Sequence, residues 1–117
     1  MANSPVEKQP AGVVPALIEK RRGDIARLCG RYGVRELALF GSILQDDFDP
    51  TSSDVDMALK FGPPVDTSLA RQYFDFKTAL EHLLSRPVDL VEMEEMPDTR
   101  LKRTIEKTKV PLYPAAV

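Results

Sequence analysis

The sequence predicts a mixed α+β domain in which a small mixed β-sheet is covered by helices. Three observations support this fold class. Apolar residues recur at helical spacing in several segments, residues 53–61 alternate between apolar and polar side chains, and two short apolar runs lie at 34–40 and 87–92. The resulting order of helix, strand, strand, helix, strand, helix is typical of a sheet with helical layers.

The first helix is expected from Val14 to Tyr32, with Gly33 as its C-terminal stop. Its apolar positions are Val14, Leu17, Ile18, Ile25, Leu28, Cys29 and Tyr32. Cys29 lies on this apolar stripe, so we interpret it as a buried structural thiol. Residues 1–13, rich in small residues and proline, are expected to form a flexible arm before a single domain at 14–117.

A buried strand is predicted at Val34–Phe40, ending at Gly41. The second strand, from about Ser53 to Phe61, places alternate residues on opposite faces. One face carries Val55, Met57, Leu59 and Phe61, and the other carries Asp54, Asp56, Ala58 and Lys60.

The second half of the chain predicts a helix, a strand and a final helix. Asp66 or Thr67 is expected to cap a helix with apolar positions from Leu69 to Leu84. Pro87–Glu92 reads as a short strand. A last helix is expected from Pro97 to about Lys107, and its inward-facing residues are Leu101 and Ile105.

Composition limits the possible functions. The net charge of −2 argues against a primary nucleic-acid binder, and the single cysteine excludes an internal disulfide or a cysteine zinc cluster. No apolar run is long enough to span a membrane and no signal pattern is visible, so a cytoplasmic location is expected. The basic segments 20–35 and 100–109 are interpreted as solvated helix faces or, alternatively, as docking surfaces for an acidic partner.

Five aspartates fall between Asp46 and Asp56. Like charges on one face of a strand destabilise it, whereas a divalent cation between Asp54 and Asp56 would make their proximity favourable. These two residues are therefore candidate magnesium ligands. Asp46, Asp47 and Asp49 are interpreted as a solvated loop and are assigned no role.

Three further residues are candidates beside this pair. The turn at Gly41 would let the hydroxyl of Ser42 and neighbouring amides hold phosphate oxygens. Asp89, in the middle of an apolar strand, could share the metal or accept a proton from an attacking hydroxyl. His82, the single histidine, is expected to have a partly exposed structural role.

Three motifs follow one another along the chain: Phe40-Gly41-Ser42, Asp54-Val55-Asp56, and Asp89 in Val-Asp-Leu-Val. In this order they resemble the motifs of the minimal nucleotidyltransferases, including antitoxins of that type, in the DNA polymerase β-like superfamily. The resemblance extends over about residues 14 to 113 and implies a polymerase β palm-like nucleotidyltransferase fold. Each motif is weak alone, and the ordered set is specific.

The resemblance implies that Gly41, Ser42 and Gln45 bind the nucleotide and that Asp54, Asp56 and Asp89 are catalytic residues holding one or two Mg²⁺ ions. The reaction would transfer a nucleoside monophosphate, expected to be AMP from ATP, to a hydroxyl group. The implied acceptor is a partner protein, a HEPN-type toxin neutralised by this antitoxin, with homo- or hetero-oligomers possible. Neither direct nucleic-acid binding nor a membrane is expected.

The stretch Ile43-Leu44-Gln45-Asp46 departs from the family pattern, because relatives usually place basic residues and a glycine after Gly-Ser. Two alternatives therefore stay open. The chain could be a catalytically weak module that neutralises the toxin by masking it, or it could modify a small molecule with a partner subunit completing the pocket.

Overall fold

A computed structural model describes residues 14–41, 54–63 and 68–114. The arm predicted at 1–13 and the candidate residues Ser42 and Gln45 lie outside these described residues. Within them the chain forms four helices, one short 3-10 turn and four strands: α1 (Ala16–Glu19), α2 (Arg22–Tyr32), β1 (Val34–Phe40), β2 (Val55–Phe61), α3 (Leu69–Leu84), β3 (Val88–Glu92), the 3-10 turn Met93–Glu95, α4 (Arg100–Thr108) and β4 (Val110–Tyr113).

The strands form one mixed sheet in the spatial order β3-β2-β1-β4. β1 pairs antiparallel with both β2 and β4, whereas β2 and β3 are parallel. A parallel pair needs a long crossover connection, and α3 supplies it. The predicted fold class, a small mixed sheet covered by helices, is therefore confirmed.

One face of the sheet packs against α1, α2 and α3 and holds the main core. The alternation predicted for β2 is confirmed, since Val55, Met57, Leu59 and Phe61 are all buried on this side. Each fully buried side chain of this size contributes about 1.5–3 kcal/mol through removal of apolar surface from water. The buried helical residues that meet them are Ile18, Ile25, Cys29, Phe76, Leu80 and Leu84.

A smaller cluster covers the opposite face, where Ala58 packs with Met93 and Ile105. The inward position predicted for Ile105 is confirmed. The prediction for Leu101 is wrong, because this side chain is 56% exposed. α4 begins at Arg100, so Leu101 lies in its first turn, and the residue one turn further on contacts the sheet.

Several predicted boundaries shift. The expected first helix is interrupted at Lys20 and Arg21, two residues that place no apolar side chain in the core. Its second part, α2, ends as predicted at Gly33, which has a left-handed φ of 71°. The hydroxyl of Ser68 caps α3 by accepting from the Arg71 N–H at 3.2 Å. The predicted cap residues Asp66 and Thr67 lie outside the described residues.

The end of the chain also differs from the prediction. Thr99 caps α4 by accepting from the Lys102 N–H at 3.2 Å, so this helix starts after Pro97. β4 is a strand that the sequence pattern does not predict. It is four residues long and contains Pro111, and both features weaken a strand signal.

Candidate active site

Asp56 and Asp89 lie opposite each other on adjacent strands. β2 and β3 pair in parallel with Asp56 in register with Asp89. Their chain neighbours Val55 and Val88 are buried on the helix-covered side, so both aspartates point to the other face. Neighbouring strands are about 4.8 Å apart, which brings two carboxylates together at one edge of the sheet. Asp89 therefore lies on the strand next to that of Asp56, and its predicted role at a metal stays a prediction.

Asp54 precedes the first residue of β2 and is exposed. Asp56, within the strand, is half-buried, and Asp89 is exposed. Asp56 is therefore the most shielded of the three candidate carboxylates, and Asp54 and Asp89 are accessible from solvent.

The backbone of Gly41 lies against Asp56. Phe40 is the antiparallel partner of Asp56, and Gly41 turns away from β1 with a φ of +79°. A Cβ atom on Gly41 would lie 2.5 Å from Asp56 Oδ2 and 3.3 Å from Asp56 Cβ. Only glycine fits here, both because of this close approach and because of the left-handed φ. Gly41 thus lies beside the carboxylate of Asp56, and its predicted contact with a nucleotide stays a prediction.

The donor set suits a magnesium ion that is completed by substrate. Among residues 14–41, 54–63 and 68–114, no three aspartate, glutamate, histidine or cysteine side chains converge on a metal position. Magnesium is commonly bound through one or two carboxylates plus substrate phosphates rather than by an all-protein cage. The facing pair Asp56 and Asp89 meets that requirement. Asp54, which precedes β2, does not converge with these two carboxylates on one metal position.

Sequence reasoning missed three side chains of α3 that hold the strand carrying Asp89. The Glu81 carboxylate accepts from the Val88 N–H at 2.9 Å, and the Tyr73 hydroxyl donates to the Leu90 carbonyl at 2.8 Å. Lys77 Nζ donates to Glu81 Oε2, also at 2.9 Å. The sequence offers only the four-residue spacing of Tyr73, Lys77 and Glu81 as a signal, because the backbone groups they reach belong to another element.

These contacts shift two ionisations. The hydrogen bond from Lys77 and then that from the Val88 N–H lower the pKa of Glu81. The hydrogen bond to Glu81 is the main cause that raises the pKa of Lys77, and the charge of Asp89 adds to it. The Lys77 ammonium therefore lies within electrostatic reach of Asp89.

A separate cavity of about 220 Å³ lies further along the sheet, beside Lys60, Glu36 and Tyr113. As far as the described residues form its lining, none of the three candidate aspartates contributes to it. We assign it no role in the site.

The family model for the nucleotidyltransferase domain matches residues 25–112. The chain belongs to the nucleotidyltransferase domain family. The match includes both strands with the facing aspartates, the Gly41 turn and the crossover helix α3. No match is found among curated proteins.

Solved structures share the nucleotidyltransferase fold. A protein described as a minimal nucleotidyltransferase is 26% identical, with a TM-score of 0.66 over 80% of this chain and 91% of that one. A toxin-antitoxin complex with AMP-PNP contains a chain that is 22% identical, with a TM-score of 0.60 over 80% of this chain and 73% of that one. In a complex of a tri-AMPylated Shewanella oneidensis HEPN toxin with its MNT antitoxin, the matching chain is 20% identical, with a TM-score of 0.59 over 83% of this chain and 72% of that one.

The fold of this domain thus resembles that of a minimal nucleotidyltransferase and that of chains in toxin-antitoxin complexes, as the sequence motifs predict. No helix among the described residues has both the length and the apolar character needed to cross a membrane.

Proposed function

We propose that this nucleotidyltransferase domain transfers AMP from ATP to a hydroxyl of a partner protein, a toxin of the HEPN kind, and so acts as an antitoxin. The observation that carries the proposal is the register of Asp56 with Asp89 on the sheet face away from the main core, with the Gly41 backbone against Asp56. A phosphate-holding turn beside paired carboxylates is suited to displacement at phosphorus.

In this proposal Asp54, Asp56 and Asp89 would hold Mg²⁺, and Gly41, Ser42 and Gln45 would bind the triphosphate. Bound magnesium would neutralise negative charge on the phosphates. The acceptor hydroxyl oxygen attacks the α-phosphorus, the bond from that phosphorus to the bridging oxygen of the β-phosphate breaks, and pyrophosphate leaves. Asp89 would accept the hydroxyl proton. Its exposure supports this role, because an incoming side chain could reach it.

The kind of partner is proposed from the structural neighbours. One is a complex of an AMPylated HEPN toxin with an MNT antitoxin, and another is a toxin-antitoxin complex with AMP-PNP. Both contain chains with the same fold as this domain. Arg27 of α2 and Arg103 of α4 are exposed and pair with Asp24 and Asp98 of this chain, and a partner could reach both guanidinium groups from solvent.

A second candidate function is neutralisation without catalysis. Ile43-Leu44-Gln45-Asp46 supplies no cation to a triphosphate and adds one negative charge. A chain with weak nucleotide affinity could still mask a toxin by forming a complex with it.

The test supplies each of the four NTPs, labelled at the α-phosphate, to the purified chain with Mg²⁺ and lysate of its source cells. The Asp54→Asn protein is run in parallel. A labelled protein band that requires the wild-type chain supports transfer and identifies the acceptor by mass spectrometry. If no nucleotide gives a band although the lysate contains a demonstrated toxin complex, the transfer proposal is wrong and the masking function replaces it.

A further inference from the structure

Asp89 lies on β3, which is an outer strand of the sheet among the described residues, so one of its two edges has no partner strand there. The Val55 N–H donates to the Pro87 carbonyl at 3.1 Å, which shows that residue 87 directs its carbonyl toward β2. The backbone N–H and carbonyl groups of successive strand residues point to alternate sides. Those of residue 89 therefore point toward β2, whereas those of Val88 and Leu90 point away from β2. An outer strand presents a row of N–H and C=O groups that need partners from another element of the protein or from solvent.

α3 supplies partners to these outward groups on both sides of Asp89. Glu81 accepts from the Val88 N–H, and the Tyr73 hydroxyl donates to the Leu90 carbonyl. α3 and β3 run in opposite directions. Glu81, near the C-terminus of α3, therefore meets Val88 at the start of β3, and Tyr73 meets Leu90 further along the strand. Backbone groups immediately before and after Asp89 are therefore fixed from the helix while its own backbone pairs with β2.

Lys77 lies between these two residues on the same stripe of α3. Its ammonium donates to Glu81 at 2.9 Å, and both side chains are only about one-third exposed or less. This ion pair orients the Glu81 carboxylate toward the Val88 N–H. Tyr73, Lys77 and Glu81 thus act together, and we call these three residues the α3 clamp.

We propose that the α3 clamp positions Asp89 opposite Asp56, so that the two carboxylates bind one metal ion. The inference rests on the proposed function. The three residues of the α3 clamp are positioning residues. Tyr73 and Glu81 contact the backbone beside Asp89, and Lys77 contacts Glu81. Side chains that support metal-binding residues in this way typically change metal affinity or activity about 10- to 100-fold when they are removed.

A purely structural reading is that these side chains only protect an outer strand. That role would lower stability when they are removed, but it would leave the activity of each folded molecule unchanged. The two readings therefore differ in metal affinity and in turnover per folded molecule.

The variants are chosen to separate these effects. Tyr73→Phe removes one hydroxyl and keeps the ring, and Glu81→Ala removes the acceptor for the Val88 N–H. Glu81→Gln keeps an oxygen that can accept this N–H and serves as the conservative rescue. Gln72→Leu is the matched control, because Gln72 lies on the same helix and donates to a backbone carbonyl at 2.5 Å, but that carbonyl belongs to Tyr32 in α2.

Each full-length variant is assayed well below its melting temperature in two ways. Mn²⁺ affinity is measured by calorimetry with α,β-methylene-ATP present, and single-turnover transfer is measured over a range of Mg²⁺ concentrations. We expect Tyr73→Phe and Glu81→Ala to weaken Mn²⁺ binding and slow transfer by about 10-fold or more, because supporting side chains have effects of this size. Glu81→Gln should recover most of the loss, and Gln72→Leu should match the wild type.

The clamp is refuted if Glu81→Ala and Tyr73→Phe bind Mn²⁺ and transfer as well as Gln72→Leu does. A wild-type chain that binds Mn²⁺ but transfers nothing refutes the proposed reaction instead, and metal affinity alone then decides the clamp. A wild-type chain that binds no Mn²⁺ overturns both.

Discussion

The backbone of Gly41 lies directly against the carboxylate of Asp56, so close that a Cβ at position 41 would be 2.5 Å from Oδ2. The turn that leaves β1 and the half-buried aspartate of β2 are therefore built as one unit. Any side chain at position 41 must displace the carboxylate, the turn or both.

Gly41→Ala is expected to destabilise the domain by about 1–3 kcal/mol, because alanine at a φ of +79° is strained and its Cβ meets Asp56. Urea denaturation measures the change. Transfer activity should be lost as well, since the substitution moves a proposed metal ligand.

Gly30→Ala is the matched control. Gly30 lies within α2, and a Cβ there would meet nothing within 4 Å. Alanine should stabilise this helix by about 0.5–1 kcal/mol. If Gly41→Ala were as stable as the wild type, the close approach to Asp56 would not hold in solution.

The second prediction concerns the facing carboxylates. Asp56→Asn and Asp89→Asn should abolish transfer while keeping the fold, because each removes one charge from a proposed metal-binding pair. The melting temperature of the wild type should rise when Mn²⁺ is added with nucleotide, since a ligand that binds only the folded state stabilises it. The variants should lack this rise.

Asp75→Asn controls for loss of a surface charge, because Asp75 pairs with Arg71 at 3.6 Å on the exposed side of α3. It should keep both transfer and the metal-dependent rise in melting temperature. A rise of equal size in Asp56→Asn would show that the metal binds elsewhere.

The site was partly predictable because strand periodicity is local. Alternation in β2 places Asp56 away from the main core, and the structure confirms it. Alternation fixes only which face each strand buries, so it excludes register shifts of one residue but not of two. The register of Asp56 with Asp89 also depends on how α3 returns the chain to the sheet. The contacts of Tyr73 and Glu81 with β3 were missed for the same reason.

The errors in the fold also have physical causes. Helical spacing marks Leu101 as apolar but does not say where α4 starts, and the cap at Thr99 places this residue at the exposed first turn. β4 is short and contains Pro111, so pairing with β1 rather than intrinsic preference makes it a strand.

The third prediction uses Cys29 as a probe of unfolding. Burial raises the pKa of its thiol to about 12, so the reactive thiolate is scarce at neutral pH. The native domain should react with a disulfide reagent only as fast as it unfolds, and urea should release one thiol per chain. Rapid labelling of the native protein would contradict the buried position predicted from the sequence and seen in the structure.

The fourth prediction is a pH dependence that originates at Glu81. Its pKa lies below the ordinary value of 4.5, because Lys77 and the Val88 N–H favour the carboxylate. A lowered folded-state pKa contributes stability that is present above 4.5 and is lost as the pH falls through the lowered value. Lys77, whose pKa is raised, keeps its charge throughout this range.

Glu81→Gln should therefore reduce the free energy of unfolding at neutral pH and lose less of it on acidification than the wild type does. Glu106→Gln is the matched control, because the hydrogen bond from Lys109 at 2.8 Å likewise lowers the pKa of Glu106, but no strand backbone is involved.

Urea denaturation of the wild type, Glu81→Gln and Glu106→Gln at neutral pH and below 4.5 measures the free energy of unfolding and its loss on acidification. Hydrogen exchange of the Val88 amide is the local readout. In Glu106→Gln that amide should exchange as in the wild type. A fourth protein, Glu81→Ala, is added for the exchange measurement, and its Val88 amide should exchange faster at neutral pH; unchanged exchange would mean that Glu81 does not hold β3.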